Sequence, residues 1–406
     1  MPSTMPDSTS LQTFADDLAA ISGLEHLRVD GGAFSIAPAS TEQVAAILHC
    51  ANKGGFSVAP IGGGTKQGWG NPIRPSLLLH THRLSTLREH TWQDMTCTVE
   101  AGCVWSSMQA SLAKHGQFVA LDPLWPEHAT IGGIAATNDS GSLRLRYGSL
   151  RDLIIGMTIV LADGTIARSG GKVVKNVAGY DLHKLMTGAF GTLGVITEIT
   201  FRLHSIPRHV QSFTISSLDV EPLGKLLLKL LDSHLSTQSL QLRSTNSGFC
   251  LDVRLATLPE VIHDQANSLS QIAQSVQLEA CNSDADVWDA RQQHLDRTEH
   301  FVVKATMLPS DIPRLTATIR ALGGTSVTQA VGIMTASLPI AASSQLEPLR
   351  EKLEAIHGSL TILRNPVNAT MALSSSPADT LPLMRELKQR FDPNRTLNPG
   401  RFLGGI

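Results

Sequence analysis

The spacing of apolar residues predicts a β-α-β unit near the start of the chain. The segment 40–43 matches a capping box, in which Ser40 and Gln43 can satisfy the free N–H groups of a helix start. The apolar positions 44, 47, 48 and 51 then recur at helical spacing. The pair Gly54-Gly55 is expected to end this helix. Short apolar runs at 56–60 and 77–79 predict strands, and a run of glycines lies between them.

Further along the chain, the pattern predicts other strands and helices. Strands at 157–161 and 165–167 flank Asp163-Gly164, a dipeptide that favours a type I′ hairpin turn. Strict alternation over 195–203 is typical of a half-buried strand. We further expect helices at 223–231 and 381–390, a strand at 249–255, and a loose tail over residues 1–10.

Composition limits the classes of function. The chain has 406 residues, 33 Lys+Arg against 35 Asp+Glu, and a formal net charge of −2, so no broad positive field favours nucleic acid or an anionic membrane. Five scattered cysteines without a CxxC pair indicate reduced thiols and no iron–sulfur or zinc ligands. No basic signal segment or long apolar span is apparent, so we expect a cytoplasmic protein, attached to the inner face of the membrane only through partners.

The glycine-rich loop Ile61–Thr65 is the first chemical candidate. Consecutive glycines let backbone N–H groups point at a phosphate, but Gln67 and Trp69 break the Rossmann and Walker templates. A phosphate loop and a tight connection between strands therefore both remain open for this segment.

Two later segments combine small residues with polar ones. In ATIGG and TNDSG, at 129–133 and 137–141, Thr130 can cap a helix while glycines leave room for a flat ligand. In GTLGVIT, at 191–197, two glycines precede a strand whose backbone can pass close to a ring system. Close packing of a helix on a sheet would explain the glycines, but not the adjacent Thr137 and Asn138.

In this order and spacing, the three segments resemble the FAD-linked oxidase, or vanillyl-alcohol-oxidase, family with its PCMH-type FAD-binding domain. The segment GGKVVKNVAGYDLHKLMTGAFGTLG is most similar to the FAD-binding E-type subunit of glycolate oxidase, and Phe190 stands where D-type relatives carry an acidic residue. The resemblance implies an α+β fold: an N-terminal tail and helix (1–27), a two-subdomain FAD-binding domain (28–207), a mixed α/β cap (208–375), and a C-terminal segment returning to the FAD domain (376–406).

The resemblance also implies the cofactor and its contacts. FAD would bind non-covalently, because Thr65 stands where some relatives carry the histidine that is bonded to the flavin. A valine at Gly63 is expected to abolish FAD retention by filling the space of the pyrophosphate. The expected cofactor-binding residues are Ile61, Gly62, Gly63, Gly64, Thr65, Thr130, Ile131, Gly132, Gly133, Thr137, Asn138, Gly141, Gly191, Gly194, Val195 and Ile196.

The implied reaction oxidises a small 2-hydroxy acid, glycolate or D-lactate, to the 2-oxo acid, with hydride passing to the flavin. Electrons would leave through a second FAD subunit and an iron–sulfur subunit. No metal site is expected, because 329–337, where relatives often have a histidine, contains none, and His80 and His82 are expected to be exposed strand-end residues. The polar candidates for the substrate site are Arg144, Arg146, Tyr147, Lys175, Tyr180, Asp181 and Lys304.

Two other functions stay open. A self-sufficient FAD-dependent dehydrogenase of another alcohol or hydroxy acid would need a group of arginine, tyrosine and lysine side chains converging on the flavin. A non-catalytic flavin-binding scaffold or relay subunit would instead have an occluded flavin.

Overall fold

We describe the protein from a computed structural model, which covers residues 8–172, 180–245, 247–295, 297–366 and 380–406. The helices of this part are α1 Ser8–Ser22, α2 Thr41–Gly54, α3 Trp105–Ala113, α4 Ile131–Thr137, α5 Arg144–Tyr147, α6 Leu150–Leu153, α7 Leu182–Met186, α8 Val220–Leu231, α9 Ile262–Gln274, α10 Ala290–Gln293, α11 Ile312–Ala321, α12 Ser343–Glu354 and α13 Leu381–Phe391. The strands are β1 Leu27–Asp30, β2 Ala33–Ile36, β3 Val58–Ile61, β4 Leu77–His80, β5 Leu87–Thr91, β6 Thr96–Glu100, β7 Gln117–Phe118, β8 Ile154–Val160, β9 Ile166–Gly170, β10 Val195–Arg202, β11 His204–Ser205, β12 His209–Ser217, β13 Thr237–Ser244, β14 Phe249–Thr257, β15 Cys281–Asn282, β16 Phe301–Thr306, β17 Thr325–Gln329, β18 Ile333–Leu338 and β19 Ser359–Arg364.

A four-stranded sheet of order β1-β2-β4-β3 contains the predicted β-α-β unit, in which β2 and β3 both pair in parallel with β4. At the start of α2, the Ser40 hydroxyl accepts the N–H of Gln43 at 3.2 Å, and the Gln43 side chain accepts the N–H of Ala39 at 2.7 Å. Gly55 ends the helix with a φ of 72°. The capping prediction is therefore confirmed, and the strand end at Ile61 leads directly into the glycine loop.

The N-terminal helix begins earlier than expected. Residues 8–10, interpreted from the sequence as part of a loose tail, belong to α1. Phe14 and Leu18 of this helix are buried, and Phe14 stacks on Phe56 with ring centroids 3.9 Å apart. This packing fixes the helix against the first sheet.

The second sheet has the order β5-β6-β10-β8-β9, and β10 is its centre. The expectation of a half-buried strand is wrong here, because Ile196 and Thr200, on the face expected to be exposed, are buried as well. The buried hydroxyl of Thr197 donates to the carbonyl of Thr158 at 3.3 Å, and that of Thr200 pairs with Thr98 at 3.0 Å. Hydrogen-bonded threonines can be buried at little cost, so alternation of polarity does not fix exposure.

The hairpin between β8 and β9 forms at the predicted place, with a different turn. Gly164 has a φ of 90°, whereas Asp163 does not have positive φ, so the turn is not type I′. The N–H of Gly164 donates to Leu161, and Leu161 pairs with Thr165. This is a type I turn followed by a glycine bulge, the usual geometry of a three-residue hairpin loop.

An eight-stranded antiparallel sheet of order β15-β12-β14-β13-β17-β18-β16-β19 follows, and the boundary expected near 207 lies just before its first strand, β12. Apolar residues of this sheet and of α8, α9, α11 and α12 form one buried cluster. We call this unit the cap. The described structure is thus an α+β protein, as predicted.

The C-terminal segment returns to the first sheet. Leu397 is fully buried and forms a parallel bridge with Val58 of β3. The carbonyl of Thr396 accepts from Val58 at 2.7 Å, and Asn398 donates back to Val58 at 2.9 Å. This short pairing places residues 398–401 beside the glycine loop.

Candidate functional site

A cleft lies where the three small-residue segments meet. Its walls are formed by the glycine loop after β3, the start and inner face of α4, the turn before β10, and the C-terminal segment. The sequence-predicted residues that line it are Ile61, Gly62, Gly63, Gly64, Thr65, Thr130, Gly132, Gly133, Thr137, Gly191, Gly194, Val195 and Ile196.

The three glycines of the loop have different surroundings. A Cβ on Gly62 would lie 2.0 Å from the Thr130 hydroxyl, and one on Gly63 would lie 1.8 Å from the carbonyl oxygen of His128. Gly64, with a φ of 71°, faces open space. The physical reason expected for a valine at Gly63 is therefore wrong, because its side chain would collide with backbone rather than fill the cleft.

Thr130 joins the glycine loop to α4. It occupies the N-cap position, but its hydroxyl does not cap this helix. Instead, it accepts the backbone N–H of Gly63 at 3.3 Å. The capping role expected for Thr130 is thus replaced by a contact that holds the loop against the helix.

The turn before β10 closes the cleft from the opposite side. Phe190 has a φ of 54° and Gly191 a φ of 66°. The carbonyl of Phe190 accepts the side-chain amide of Asn398 at 2.7 Å, which ties this turn to the C-terminal segment. The amide oxygen of Asn398 is buried and has no partner in the described structure, and Asn398 lines the cleft.

Three of the predicted cofactor residues lie outside the walls of the cleft. Ile131 is buried in the core and donates its N–H to Cys103. Gly141 packs on the carboxylate of Asp122, which accepts the N–H groups of Gly141 and Ser142. Asn138 faces a second cavity, described below.

Other residues that line the cleft were not predicted from the sequence as cofactor contacts. They are Pro60, Lys66, Gln67, Thr81, Ala136, Phe190, Asn398 and Arg401. Arg401 donates from its guanidinium to the side chain of Gln67 at 2.8 Å and to the carbonyl of Gln67 at 2.9 Å. The only sequence signal for the last two of these residues is the expected return of the C-terminal segment, 376–406, to the FAD domain.

A buried ionic cluster connects the glycine loop to the cap. Lys66 lies 3.1 Å from one oxygen of Asp139, and Arg291 of α10 lies 2.9 Å from the other. Burial raises the pKa of the Asp139 carboxyl, but the charges of Arg291 and Lys66 outweigh that effect and hold the pKa below its ordinary value. The Lys66 ammonium also lies over the Trp125 ring at 5.4 Å.

A second cavity, of about 330 Å³, adjoins the cleft. The two share Thr137, Phe190 and Arg401 as wall residues. Its other walls come from the glycine loop and C-terminal segment on one side and from strands β16 and β19 of the cap on the other. These residues are Trp69, Gly70, Asn71, Asn138, Thr187, Gly188, Lys304, Thr306, Ser359, Thr361, Ile362, Leu363, Phe402 and Leu403.

Lys304 is the cationic residue that the cap contributes to this second cavity. Its ammonium has no ion-pair partner among the described residues. Burial lowers the pKa of Lys304, the charge of Asp139 opposes this effect, and those of Arg291 and Arg144 add to it. A desolvated ammonium beside a cavity is suited to receive a carboxylate.

The remaining substrate candidates do not converge on the cleft. Arg146 donates to the carbonyl of Ala256 at 2.8 Å, and the Tyr147 hydroxyl accepts from Gln238 at 3.2 Å. Arg144, Tyr180 and Asp181 line neither cavity: Arg144 is in the short helix α5, Tyr180 is 90% exposed, and Asp181 pairs with Lys184. Lys175 lies outside the described residues.

A pair of histidines lies at the end of strand β4, with ring centroids 6.0 Å apart. His82 is exposed, as expected, whereas the expectation of exposure is wrong for His80, which is half-buried because it still belongs to the strand. The described residues contain no group of three or more His, Cys, Asp or Glu side chains suited to a metal ion. Within the same ranges, no helix is both long enough and apolar enough to cross a bilayer.

Comparison with known proteins identifies the cofactor of the chain. A family model described as an FAD binding domain matches residues 33–170, which include the glycine loop and α4. Residues 33–170 are an FAD-binding domain. The cofactor of this chain is therefore FAD.

Two curated relatives each match about two fifths of the chain. The mitochondrial D-lactate dehydrogenase [cytochrome] of Arabidopsis thaliana is 38% identical over 173 residues, which are 42% of this chain and 30% of the relative. Glycolate oxidase subunit GlcD of Bacillus subtilis is 37% identical over 169 residues, 41% of this chain and 36% of the relative. The chain thus matches about a third of the length of these relatives.

The fold extends beyond the FAD-binding domain. A solved structure of p-cresol methylhydroxylase with substrate bound superposes with a TM-score of 0.78 at 15% identity. The superposition covers 98% of this chain and 97% of that one. The cap therefore has the same architecture in both.

The residues of the cleft fit FAD. The backbone of Gly64 is exposed at its edge, so its N–H group can approach a pyrophosphate without Cβ interference, whereas the N–H of Gly63 already donates to Thr130. The unpartnered amide oxygen of Asn398 offers an acceptor to a ring N–H. Arg401 adds a positive charge where the cleft meets the second cavity.

Proposed function

We propose that this chain is an FAD-dependent oxidoreductase that oxidises a 2-hydroxy acid to the 2-oxo acid, glycolate and D-lactate being the simplest candidates. The observation that carries the proposal is the position of Lys304, a desolvated cation in a cavity that opens on the FAD cleft. The names of the relatives, a D-lactate dehydrogenase and a glycolate oxidase subunit, support the same reaction class.

Each part of the second cavity has a role in this proposal. Lys304 binds the substrate carboxylate by a charge-assisted hydrogen bond, and Arg401 adds positive charge at the junction with the cleft. Trp69, Phe190 and Phe402 form an apolar wall that limits the access of water. Bound FAD supplies the acceptor for the two electrons and the hydrogen that leave the substrate carbon, while the hydroxyl proton is lost.

We further propose that the chain works in a complex, as the FAD-binding E-type subunit of a glycolate oxidase. Its partners would be a second FAD subunit and an iron–sulfur subunit, which would carry the electrons away. Support comes from a relative that is itself named as a subunit. The absence of a converging arginine–tyrosine–lysine group among the described residues weighs against the self-sufficient dehydrogenase.

The proposal predicts that removing the Lys304 charge weakens substrate binding while leaving FAD in place. Lys304→Met keeps most of the side-chain volume but removes the ammonium. Because a hydrogen bond to a charged group contributes about 1.5–3 kcal/mol, we expect the half-saturating concentration of D-lactate or glycolate to rise about 10- to 100-fold. The measurement is anaerobic reduction of the bound flavin, followed by its visible absorbance, with and without co-expressed partners.

Lys172→Met is the matched control, because Lys172 is exposed and pairs with Glu89. It should behave like the wild type. If Lys304→Met and the wild type had the same half-saturating substrate concentration, Lys304 would not bind the substrate carboxylate. Flavin that stays oxidised with both acids, alone and in the complex, would overturn these two substrates.

A further inference from the structure

One face of the cap sheet presents a polar stripe to the second cavity. Lys304 and Thr306 alternate on β16 with apolar residues that enter the core, and the register places them opposite Thr361 and Ser359 of β19. All four line the cavity. The hydroxyls of Thr306 and Ser359 lie 2.7 Å apart. The stripe therefore offers several hydroxyl groups beside a single cation.

Another part of the cavity wall is aromatic. Trp69, Phe190 and Phe402 line the cavity, and the last two rings lie with centroids 5.6 Å apart. Asn71 also lines the cavity, and its side-chain amide donates hydrogen bonds to the carbonyls of Gly400 and Phe402. A ligand in this cavity therefore meets both hydroxyl groups and flat apolar rings.

The cavity is large for the simplest 2-hydroxy acids. Its volume of about 330 Å³ is at the lower end of the range for pockets that enclose drug-sized ligands, roughly 300–1,000 Å³, and such ligands are larger than glycolate or lactate. Glycolate or lactate on Lys304 would leave the hydroxyl stripe and the aromatic wall without contacts. The unpartnered, buried amide oxygen of Asn138 also faces this space.

We propose that the preferred substrate is a polyhydroxylated 2-hydroxy acid longer than lactate, a sugar acid of the aldonate type. This inference rests on the proposed 2-hydroxy acid oxidation. The carboxylate binds Lys304, and the hydroxyls of the chain bind Thr306, Ser359 and Thr361. The C–H face of the chain packs on the aromatic wall, since carbons bearing hydroxyls on one side expose an apolar surface on the other.

The test compares two acids of equal carbon number in the FAD-loaded chain, with its partners where these are required. D-gluconate carries hydroxyls along its chain, 2-hydroxyhexanoate carries none beyond C2, and D-lactate is the short reference. Half-saturating concentrations come from anaerobic flavin reduction, and dissociation constants from the ligand-induced change in the visible flavin spectrum. We expect D-gluconate to bind at least ~10-fold more tightly than both others, the equivalent of one or two net hydrogen bonds.

Matched threonine variants locate the effect. Thr361→Val should weaken D-gluconate about 3- to 10-fold and leave 2-hydroxyhexanoate unchanged, whereas Thr361→Ser should restore the affinity. Thr335→Val is the control: Thr335 flanks Lys304 on β18, yet lies outside the cavity wall. Both acids should bind this variant as they bind the wild type.

The outcomes separate this inference from the proposed function. Equal or tighter binding of 2-hydroxyhexanoate or D-lactate, with reduction of the flavin, overturns the sugar acid and leaves 2-hydroxy acid oxidation standing. Binding of D-gluconate without reduction of the flavin by any of the three acids overturns the proposed reaction. Absence of binding by all three overturns both.

Discussion

At the scale of single residues, the glycine loop shows that neighbouring identical residues serve different purposes. Gly62 and Gly63 are required by close packing against Thr130 and His128. Gly64 is different, because its left-handed φ leaves its α-carbon facing open space at the cleft. Cofactor binding is therefore best tested at Gly64, where a substitution meets no atom of the protein.

Gly64→Ala should reduce the free energy of FAD binding by more than it reduces the free energy of unfolding. A methyl group would project into the open space beside the exposed backbone. The backbone strain of a non-glycine residue at this φ costs about 1 kcal/mol. Gly55→Ala provides the control, since Gly55 has a φ of 72°, faces open space and lies outside the cleft.

Titration of FAD into the apo forms of both variants gives the dissociation constants, and urea unfolding gives their stabilities. We expect similar losses of stability and a higher FAD dissociation constant in Gly64→Ala alone. Equal FAD affinities would remove the loop from the cofactor contacts.

The lowered pKa of Lys304 predicts a pH dependence of substrate binding. An ammonium binds a carboxylate only while it is protonated. Because burial lowers the pKa of Lys304, affinity should be full at lower pH and decline as the pH rises through that lowered value. The decline should begin below the ordinary pKa of a lysine.

In Lys304→Arg the charge persists to higher pH, so the alkaline decline should disappear from the half-saturating concentration. The readout is this concentration as a function of pH, with the maximal rate of flavin reduction measured in parallel. An unchanged alkaline limb in the arginine variant would assign the titration to another group.

At the scale of elements, the sequence predicts best what local chemistry determines. The capping residues Ser40 and Gln43 and the terminating Gly55 define α2 without help from the rest of the chain. The burial of Thr200, on the expected outer face of β10, could not be predicted in this way, because its hydroxyl bonds to Thr98 of a neighbouring strand. Hydrogen bonds between distant strands leave no local pattern.

The same limit applies to the site. The small-residue segments that line the cleft carry their own local signals. Asn398 and Arg401 reach it only because Leu397 pairs with β3, a contact across most of the chain. The stripe around Lys304 does have a signal, since polar and apolar residues alternate on β16 and β19. Its partner, the aromatic wall, comes from other parts of the fold.

The C-terminal pairing predicts a coupling between stability and FAD binding. Leu397 is fully buried, so Leu397→Ala should destabilise the protein by about 2–5 kcal/mol. The loss should also raise the FAD dissociation constant, because Asn398 and Arg401 would no longer be held at the cleft. Chemical denaturation and FAD titration measure the two effects.

Leu383→Ala is the matched control, because Leu383 of α13 is 60% exposed. It should change neither quantity appreciably. A Leu397→Ala protein that is destabilised but binds FAD normally would show that the segment does not contribute to the cofactor site.

At the scale of the whole molecule, the Lys66–Asp139–Arg291 cluster connects the FAD-binding domain to the cap. Asp139 is buried, and each of its oxygens faces one cation, Lys66 from the glycine loop and Arg291 from α10. Gln329 of the cap sheet adds a bond to the carbonyl of Ser140 at 3.0 Å. The position of the cap is therefore determined by polar contacts of fixed geometry beside the cleft.

Removing Arg291 should destabilise the protein strongly and in a pH-dependent way. Arg291→Met leaves the Asp139 charge buried with one cation, which we expect to cost on the order of 3 kcal/mol at neutral pH. The depressed pKa of Asp139 stabilises the wild type above the ordinary aspartate range, and this contribution is lost as the pH falls. The difference between wild type and variant should therefore shrink in acid.

Arg314→Met serves as the comparison, because Arg314 is exposed and its pair with Asp311 should contribute less than about 1 kcal/mol. Urea unfolding at neutral and acid pH measures all three proteins. A difference between wild type and Arg291→Met that stayed constant with pH would contradict the electrostatic role of Asp139.

The pairing of Leu397 with β3 also bears on when the protein can acquire its cofactor during synthesis. The glycine loop and Arg401 are separated by more than three hundred residues, so a ribosome must add all of them before both walls exist. At about 5–20 residues per second, roughly half a minute separates the synthesis of the glycine loop from that of Arg401. We therefore expect flavin to bind only after the cap has been synthesised and has had time to fold.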